Sequence, residues 1–204
     1  MGKSRAARLK SSAGHYMAES TAAGEHMNHD TYPDTYIASI LHDAKTFAMI
    51  GASANTVRPS FFVLKYLLAK GYRVFPINPG HAGGEILGQK VFASLADLSE
   101  PVDVVEVFRS SGAAQGIVEE TIALKDKLSI KVIWMQLGVR NDEASRLAEK
   151  EGIKVVMNRC PKIEYGRLSG EIGWVGVNNN RISSRKPLIL GKGYQQLSIR
   201  PDKS

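Results

Sequence analysis

The chain of 204 residues is 43% hydrophobic, enough to bury the core of one ordinary domain, and carries a formal net charge of +7. Its longest apolar runs, such as Phe61-Phe62-Val63-Leu64 and Val132-Ile133-Trp134-Met135, fall far short of the roughly 20 residues that a membrane span requires, which excludes an integral membrane helix. The positive charge sits at the two ends: residues 27–180 hold 17 basic and 17 acidic residues, so this stretch lacks the excess that a duplex-binding domain carries.

Residues 1–26 are rich in Arg, Lys, Ser and Ala without a long apolar run, which argues against a secretory signal. They read as the bulk of a disordered leader spanning residues 1–29. The first element is an amphipathic helix over Pro33–Ala44, with Pro33 and Asp34 suited to its first turn and Tyr36, Ile37, Ile40, Leu41 and Ala44 on one face. The period then changes. Thr46–Ile50 is a short apolar run ending in Gly51, as expected of a strand buried on both faces.

A helix follows over Pro59–Lys70, expected to bury Phe62, Val63, Tyr66 and Leu67, with Gly71 at its C-terminal cap. The second strand is Tyr72–Ile77, followed by a glycine-rich loop over Asn78–Gly88. Asp103–Phe108 reads as the third strand, Ala113 to about Lys127 as a helix, and Ile130–Gln136 as the fourth strand. Asn141 caps a helix that carries Asp142 and Glu143 in its first turn and ends at Gly152, and Ile153–Met157 is the fifth strand. Strands alternating with helices of this length imply right-handed crossovers. The fold class is therefore α/β: Rossmann-like, an open parallel sheet of about five strands with helices on both faces. The domain spans residues 30–168, and residues 169–204 read as an extended basic tail.

In such a sheet, ligands bind beyond the carboxyl ends of the strands, where strand order reverses. After the first strand, Gly51-Ala52-Ser53 is a small-residue turn that lets backbone approach a phosphate, and Arg58-Pro59-Ser60 opens the next helix. Arg58 either grips phosphate oxygens or faces solvent. After the second strand comes Asn78-Pro79-Gly80. The glycine signature of a nicotinamide dinucleotide site is missing after the first strand, and so is the acidic residue expected about 20 residues later; this disfavours NAD. After the third strand, Phe108-Arg109-Ser110-Ser111 brings a second arginine, which either meets a phosphate or pairs with an acidic neighbour such as Glu106. Gln136-Leu137-Gly138 and Asn158-Arg159-Cys160 follow the fourth and fifth strands. His81 is the histidine nearest this rim and reads as a solvated loop residue. Polar, small or basic residues at five successive strand ends point to a phosphorylated ligand.

Taken together, Gly51-Ala52-Ser53 with Arg58-Pro59-Ser60, Pro76-Ile77-Asn78-Pro79, Val107-Phe108-Arg109, Trp134-Met135-Gln136-Leu137-Gly138-Val139 and Val156-Met157-Asn158-Arg159-Cys160 resemble the bacterial CoA-binding-domain proteins. These stand-alone proteins are similar to the N-terminal domain of the succinyl-CoA synthetase alpha subunit. The resemblance covers about residues 30–168. It implies coenzyme A or acyl-CoA lying across the strand ends, with phosphate at Gly51–Ser60. Asn78, Pro79, Phe108 and Arg109 would then border the adenosine and diphosphate, with Gln136, Leu137, Gly138, Asn158, Arg159 and Cys160 further along the ligand.

This reading describes a non-catalytic CoA-binding or sensing protein. The alternatives are a subunit of an acyl-CoA synthetase-like enzyme that needs a partner chain and, more remotely, a nicotinamide-dependent oxidoreductase. No catalytic or metal-ligating residue is assigned, and no nucleic-acid or membrane partner is expected; the protein acts alone, as a homo-oligomer or with a partner subunit. Cys160 is the only cysteine, so the chain has no internal disulfide and no Cys-based zinc site, in keeping with a reducing, cytoplasmic location. Its thiol is either inert and half-buried or close enough to the CoA thiol to form a mixed disulfide.

Overall fold

The computed structural model describes residues 27–171. Its elements in chain order are α1 (Asp34–Asp43), β1 (Thr46–Ile50), α2 (Pro59–Ala69), β2 (Arg73–Ile77), β3 (Glu85–Ile86), β4 (Gln89–Lys90), β5 (Val104–Val107), α3 (Ser111–Leu128), β6 (Val132–Met135), α4 (Asp142–Lys150), β7 (Lys154–Val156) and α5 (Pro161–Ser169). Five strands form one sheet in the order β2-β1-β5-β6-β7, and every pairing is parallel. The fold is α/β with helices on both faces, as the alternating pattern predicts. No helix among the described residues is long and apolar enough to cross a membrane.

Strand side chains alternate between the two faces and so divide the core. On one face Ala48, Ile50, Val105, Val107, Ile133 and Met135 pack with Ala114, Val118, Ala144 and Ala148 of α3 and α4. On the other Phe47, Met49, Val74, Val104, Trp134 and Val156 pack with residues of α1, α2 and α5. Trp134 is fully buried, and its indole N–H donates to the Arg159 carbonyl at 2.8 Å, tying the central sheet to the loop after β7.

Several expectations are corrected. Phe62 is 49% exposed, and Leu64 takes its place in the core. The reason is helical geometry: Val63, Leu64 and Leu67 share the sheet-facing side of α2, while Phe62 falls one position off it. The Asn78–Gly88 segment is not plain loop; it contains a 3₁₀ turn at Pro79–His81 and leads into the antiparallel hairpin β3–β4. Helix α5 lies where no element was expected. It packs against α1 and α2, which carries the chain from β7 back across the sheet. Gly170 caps this helix, and Glu171 after it is buried, accepts from the Tyr66 hydroxyl at 2.7 Å and pairs with Lys70. His29, assigned to the leader, is 4% exposed, and its ring nitrogens meet Tyr32 Oη at 2.7 Å and Ser145 Oγ at 2.6 Å. The remaining leader and tail, residues 1–26 and 172–204, lie outside the described residues.

Two local features hold the central strands in place at opposite ends. At the amino-terminal end, Asp103 accepts from the Lys45 and Thr46 amides, the Thr46 hydroxyl and Lys131 Nζ, linking the starts of β1, β5 and β6. At the carboxyl end, Gly51 adopts φ +91°, and a Cβ there would lie 2.5 Å from the Phe108 carbonyl oxygen. Only glycine lets the loops after β1 and β5 approach this closely.

Gly51→Ala should lower stability by about 2–4 kcal/mol, combining left-handed strain with overpacking. Urea denaturation measures it, and a loss well below this range would mean that the loops separate at little cost. Asp103 provides a pH test. Burial opposes its charge, but Lys131 together with the Lys45 and Thr46 donors outweighs burial and holds the carboxyl below its usual range. Its stabilisation is therefore complete above the unfolded-state value of 3.8 and is lost as pH falls through the lower folded-state value. Asp103→Asn should be less stable than wild type at pH 7, with the gap narrowing in acid; a gap that stays constant with pH would contradict this.

Candidate functional site at the carboxyl rim

The chain runs from β1 outward to β2 and then crosses back to β5 on the other side of β1. Strand order thus reverses between β1 and β5, and a crevice opens outside their carboxyl ends. The loop after β1 and the loop after β5 form its walls.

The first wall is tightly built. Gly51 donates its amide to the Ile77 carbonyl at 2.9 Å, and Asn78 Nδ2 donates to the Ala52 carbonyl at 2.7 Å, so the loops after β1 and β2 brace each other. Asn78 Oδ1 accepts from the Gly80 amide at 3.0 Å and closes its own turn; Pro79 beside it is exposed. Ala52 is buried, Ser53 Oγ accepts from the Asn55 amide at 3.2 Å, and Asn55 Oδ1 accepts from the Val57 amide at 3.0 Å. These turns deliver the chain to α2, where Arg58 is the N-cap residue, Pro59 the first helical residue and Ser60 is buried. No side chain caps this helix and its first turn holds no acidic residue. Its positive dipole end therefore carries no negative side chain of its own.

The second wall is Phe108-Arg109. The Phe108 amide donates to the Ile50 carbonyl at 2.8 Å, and its ring is half-buried against the core. Arg109 is exposed and does not pair with Glu106, which points into the core. The guanidiniums of Arg58 and Arg109 each lack a hydrogen-bond or ion-pair partner among the described residues, although the Arg58 backbone bonds Asn55 and Phe61. Arg140, by contrast, is paired with Asp30 and Asp142.

The residues after β6 and β7 form a second group. Asn158 adopts φ +52°, and its Oδ1 accepts from the Gly138 amide at 2.9 Å, locking the two loops together. Leu137 is 53% exposed. Arg159 is committed within the protein: its guanidinium stands 5.4 Å from the Tyr32 ring centroid and donates to the carbonyls of Asp30 and Asn158. Gln136 is buried, and its Nε2 donates to Glu106 Oε1 at 3.2 Å. Cys160 is 7% exposed at the N-cap of α5. Burial pushes its thiol above the usual value, and the Glu106 carboxyl adds to this, against donors from Ile163, Lys162 and Gln136.

Glu106 was missed as a site residue. Its signal was one acidic residue in the apolar run Val104-Val105-Glu106-Val107, which reads as a possible partner of Arg109 until the strand is placed at the centre of the sheet. Burial drives its carboxyl well above the ordinary range. A separate cavity of about 320 Å³ opens at the opposite, amino-terminal edge, beside Asp43, Asp103, Lys131 and Lys154. Asp103 there is already saturated by protein donors, so the rim offers the better-prepared binding groups.

The profile of the CoA binding domain family matches residues 45–166. The uncharacterized protein YneT of Bacillus subtilis (strain 168) is 34% identical over 129 residues, covering 63% of this chain and 91% of that protein. A solved hypothetical protein from Pyrococcus horikoshii OT3 superposes with a TM-score of 0.63 at 36% identity, over 71% of this chain and 98% of the other. The solved protein cell-free ID.343 from Thermus thermophilus gives a TM-score of 0.62 at 38% identity, over 67% and 98%. The chain therefore belongs to the CoA-binding domain family.

Proposed function

We propose that the protein binds coenzyme A or acyl-CoA in the crevice between the β1 and β5 loops, as a CoA-binding or sensing protein of a reducing, cytoplasmic compartment rather than a self-sufficient enzyme. The observation that carries this reading is the pair Arg58 and Arg109, two exposed guanidiniums without partners among the described residues, on the loops after β1 and β5, beside a helix whose first turn holds no acidic residue. This donor set fits the ligand: a diphosphate offers several anionic oxygens, guanidiniums donate to them in paired geometry, and backbone amides at a helix start donate to the remainder.

In this reading Gly51, Ala52, Ser53, Pro59 and Ser60 shape the phosphate turn. Asn78 and Pro79 border the nucleoside, with Phe108 opposite. Gln136, Leu137, Gly138, Asn158 and Cys160 follow the pantetheine arm, and Arg159, already stacked on Tyr32, supports that end instead of gripping phosphate. The resemblance to the N-terminal domain of the succinyl-CoA synthetase alpha subunit supports the same ligand class. In this reading the domain carrying this function spans residues 30–168, with the buried His29 and Glu171 packed against it.

Calorimetry on the full chain should give one CoA per chain with micromolar or tighter affinity. Arg58→Ala and Arg109→Ala should each weaken binding about ten-fold and reduce its salt dependence. Failure of CoA, dephospho-CoA and ADP alike to bind would refute the reading, and so would a larger thermal shift with NAD or NADP than with CoA.

A further inference from the structure

Residues 28–32, ahead of α1, run beside β7, the last strand of the sheet, and a buried imidazole holds them there. The His29 side chain is 1% exposed. Its Nε2 lies 2.6 Å from Ser145 Oγ and 3.1 Å from Glu149 Oε1, both on α4, and its Nδ1 lies 2.7 Å from Tyr32 Oη. A carboxylate only accepts, so Nε2 carries the proton, and in the neutral ring Nδ1 accepts from the Tyr32 hydroxyl. That oxygen also accepts from the Met157 amide at 2.7 Å, just after β7. The Tyr32 ring stacks on Tyr36 of α1 at 5.9 Å between centroids, and the Tyr36 hydroxyl donates to the Val155 carbonyl at 3.2 Å.

The same segment occupies both arginines of the β6–β7 half of the rim. The Asp30 carboxylate pairs with Arg140, the Asp30 carbonyl accepts from Arg159 Nη2 at 3.1 Å, and the Arg159 guanidinium stands over the Tyr32 ring. Without these contacts Arg140 keeps Asp142 and Arg159 keeps the Asn158 carbonyl, partners that leave part of each guanidinium fork unused. The Asp30 and Arg140 side chains are 72% and 42% exposed, and a pair of that kind holds weakly alone. The segment therefore stays down because His29 is buried, and it lifts as a unit when that ring leaves its seat.

We propose that residues 28–32 are a strap that sets the charge of the acyl group the rim accepts. With His29 seated, Arg140 and Arg159 are occupied, and the end of the rim assigned to the pantetheine arm takes a neutral acyl group. With the strap lifted, the two guanidiniums receive an acyl group that ends in a carboxylate, which they bind in forked geometry. Asp30 leaves with the strap, so one negative charge departs as two positive ones become available. This selectivity rests on the CoA reading above and concerns the far end of the same ligand.

Glutaryl-CoA and pentanoyl-CoA carry acyl chains of equal length that end in a carboxylate and a methyl group, and calorimetry on the full chain compares them. Wild type should bind pentanoyl-CoA at least as tightly. His29→Ala should shift the preference toward glutaryl-CoA about ten-fold, and adding Arg140→Ala and Arg159→Ala should erase the gain. Hydrogen exchange of the Met157 amide should be faster in His29→Ala, because the lifted strap takes the Tyr32 hydroxyl away. Asp30→Ala, an exposed change that keeps the buried seat, should release Arg140 alone and give about a three-fold shift, which decides the matter if His29→Ala does not fold. A wild type that already prefers glutaryl-CoA overturns the strap. So does an unmoved preference or unchanged Met157 exchange in folded His29→Ala, or a gain that survives the loss of both arginines. The matching pantetheine thioesters, which lack the nucleotide, separate the strap from the CoA reading. If they show the shift while neither CoA ester binds, the strap stands and the CoA reading falls. If the CoA esters bind and the preference does not move, the strap falls and the CoA reading stands.

Discussion

The Gly51 backbone packs directly under the Phe108 carbonyl, and the arrangement of the rim depends on that contact. A parallel sheet whose strand order reverses must splay its connections apart at the reversal, and the space between them becomes a crevice. How wide that space opens depends on how closely the two flanking loops pass. A side chain at position 51 would push the β5 loop, and Phe108-Arg109 with it, away from the loop after β1. The Asp103 network has the matching role at the other end of the same strands, where one carboxylate fixes the starts of β1, β5 and β6.

The rim divides into two chemically different halves. Around β1 and β5 it is cationic and rich in turns, and the guanidiniums there have no partners among the described residues. Around β6 and β7 the charged groups are used internally: Arg140 is held by Asp30 and Asp142, and Arg159 by Tyr32 and backbone carbonyls. What remains there is apolar surface from Leu137 above a buried amide, carboxyl and thiol. A ligand with a charged nucleotide end and a neutral, sulfur-terminated arm matches this division. The N-terminal segment contributes to it, since Asp30 and Tyr32 engage the cations of the second half, while His29 anchors the segment against Ser145 on α4.

Much of the fold was legible because its signals are local. Short apolar runs alternating with amphipathic helices are enough to predict parallel strands, and Gly51, Gly71 and Gly152 mark turns that any L-residue with a side chain would strain. The loops after the strands could be located for the same reason, since a parallel sheet leaves its binding edge in one place. The misses share a cause. Phe62 and Leu64 are equally apolar, and only the angle at which α2 meets the sheet decides which is buried. The β3–β4 hairpin is two residues per strand, too short to show a period. Helix α5 has weak amphipathicity because both of its sides meet protein, so its sequence resembles a loop.

Sequence alone determined the class of the fold, the order of its strands along the chain, and the residue types waiting at each strand end, because these follow from nearest-neighbour periodicity and turn chemistry. Tertiary structure decided which of those residues meet. It left Arg58 and Arg109 exposed on the loops after β1 and β5, turned Arg159 inward to Tyr32, and buried Glu106 against Gln136, 30 positions further along the chain. Contacts at such separations depend on strand order and on the path of α5 back over the sheet, and neither leaves a mark in the local pattern of residues.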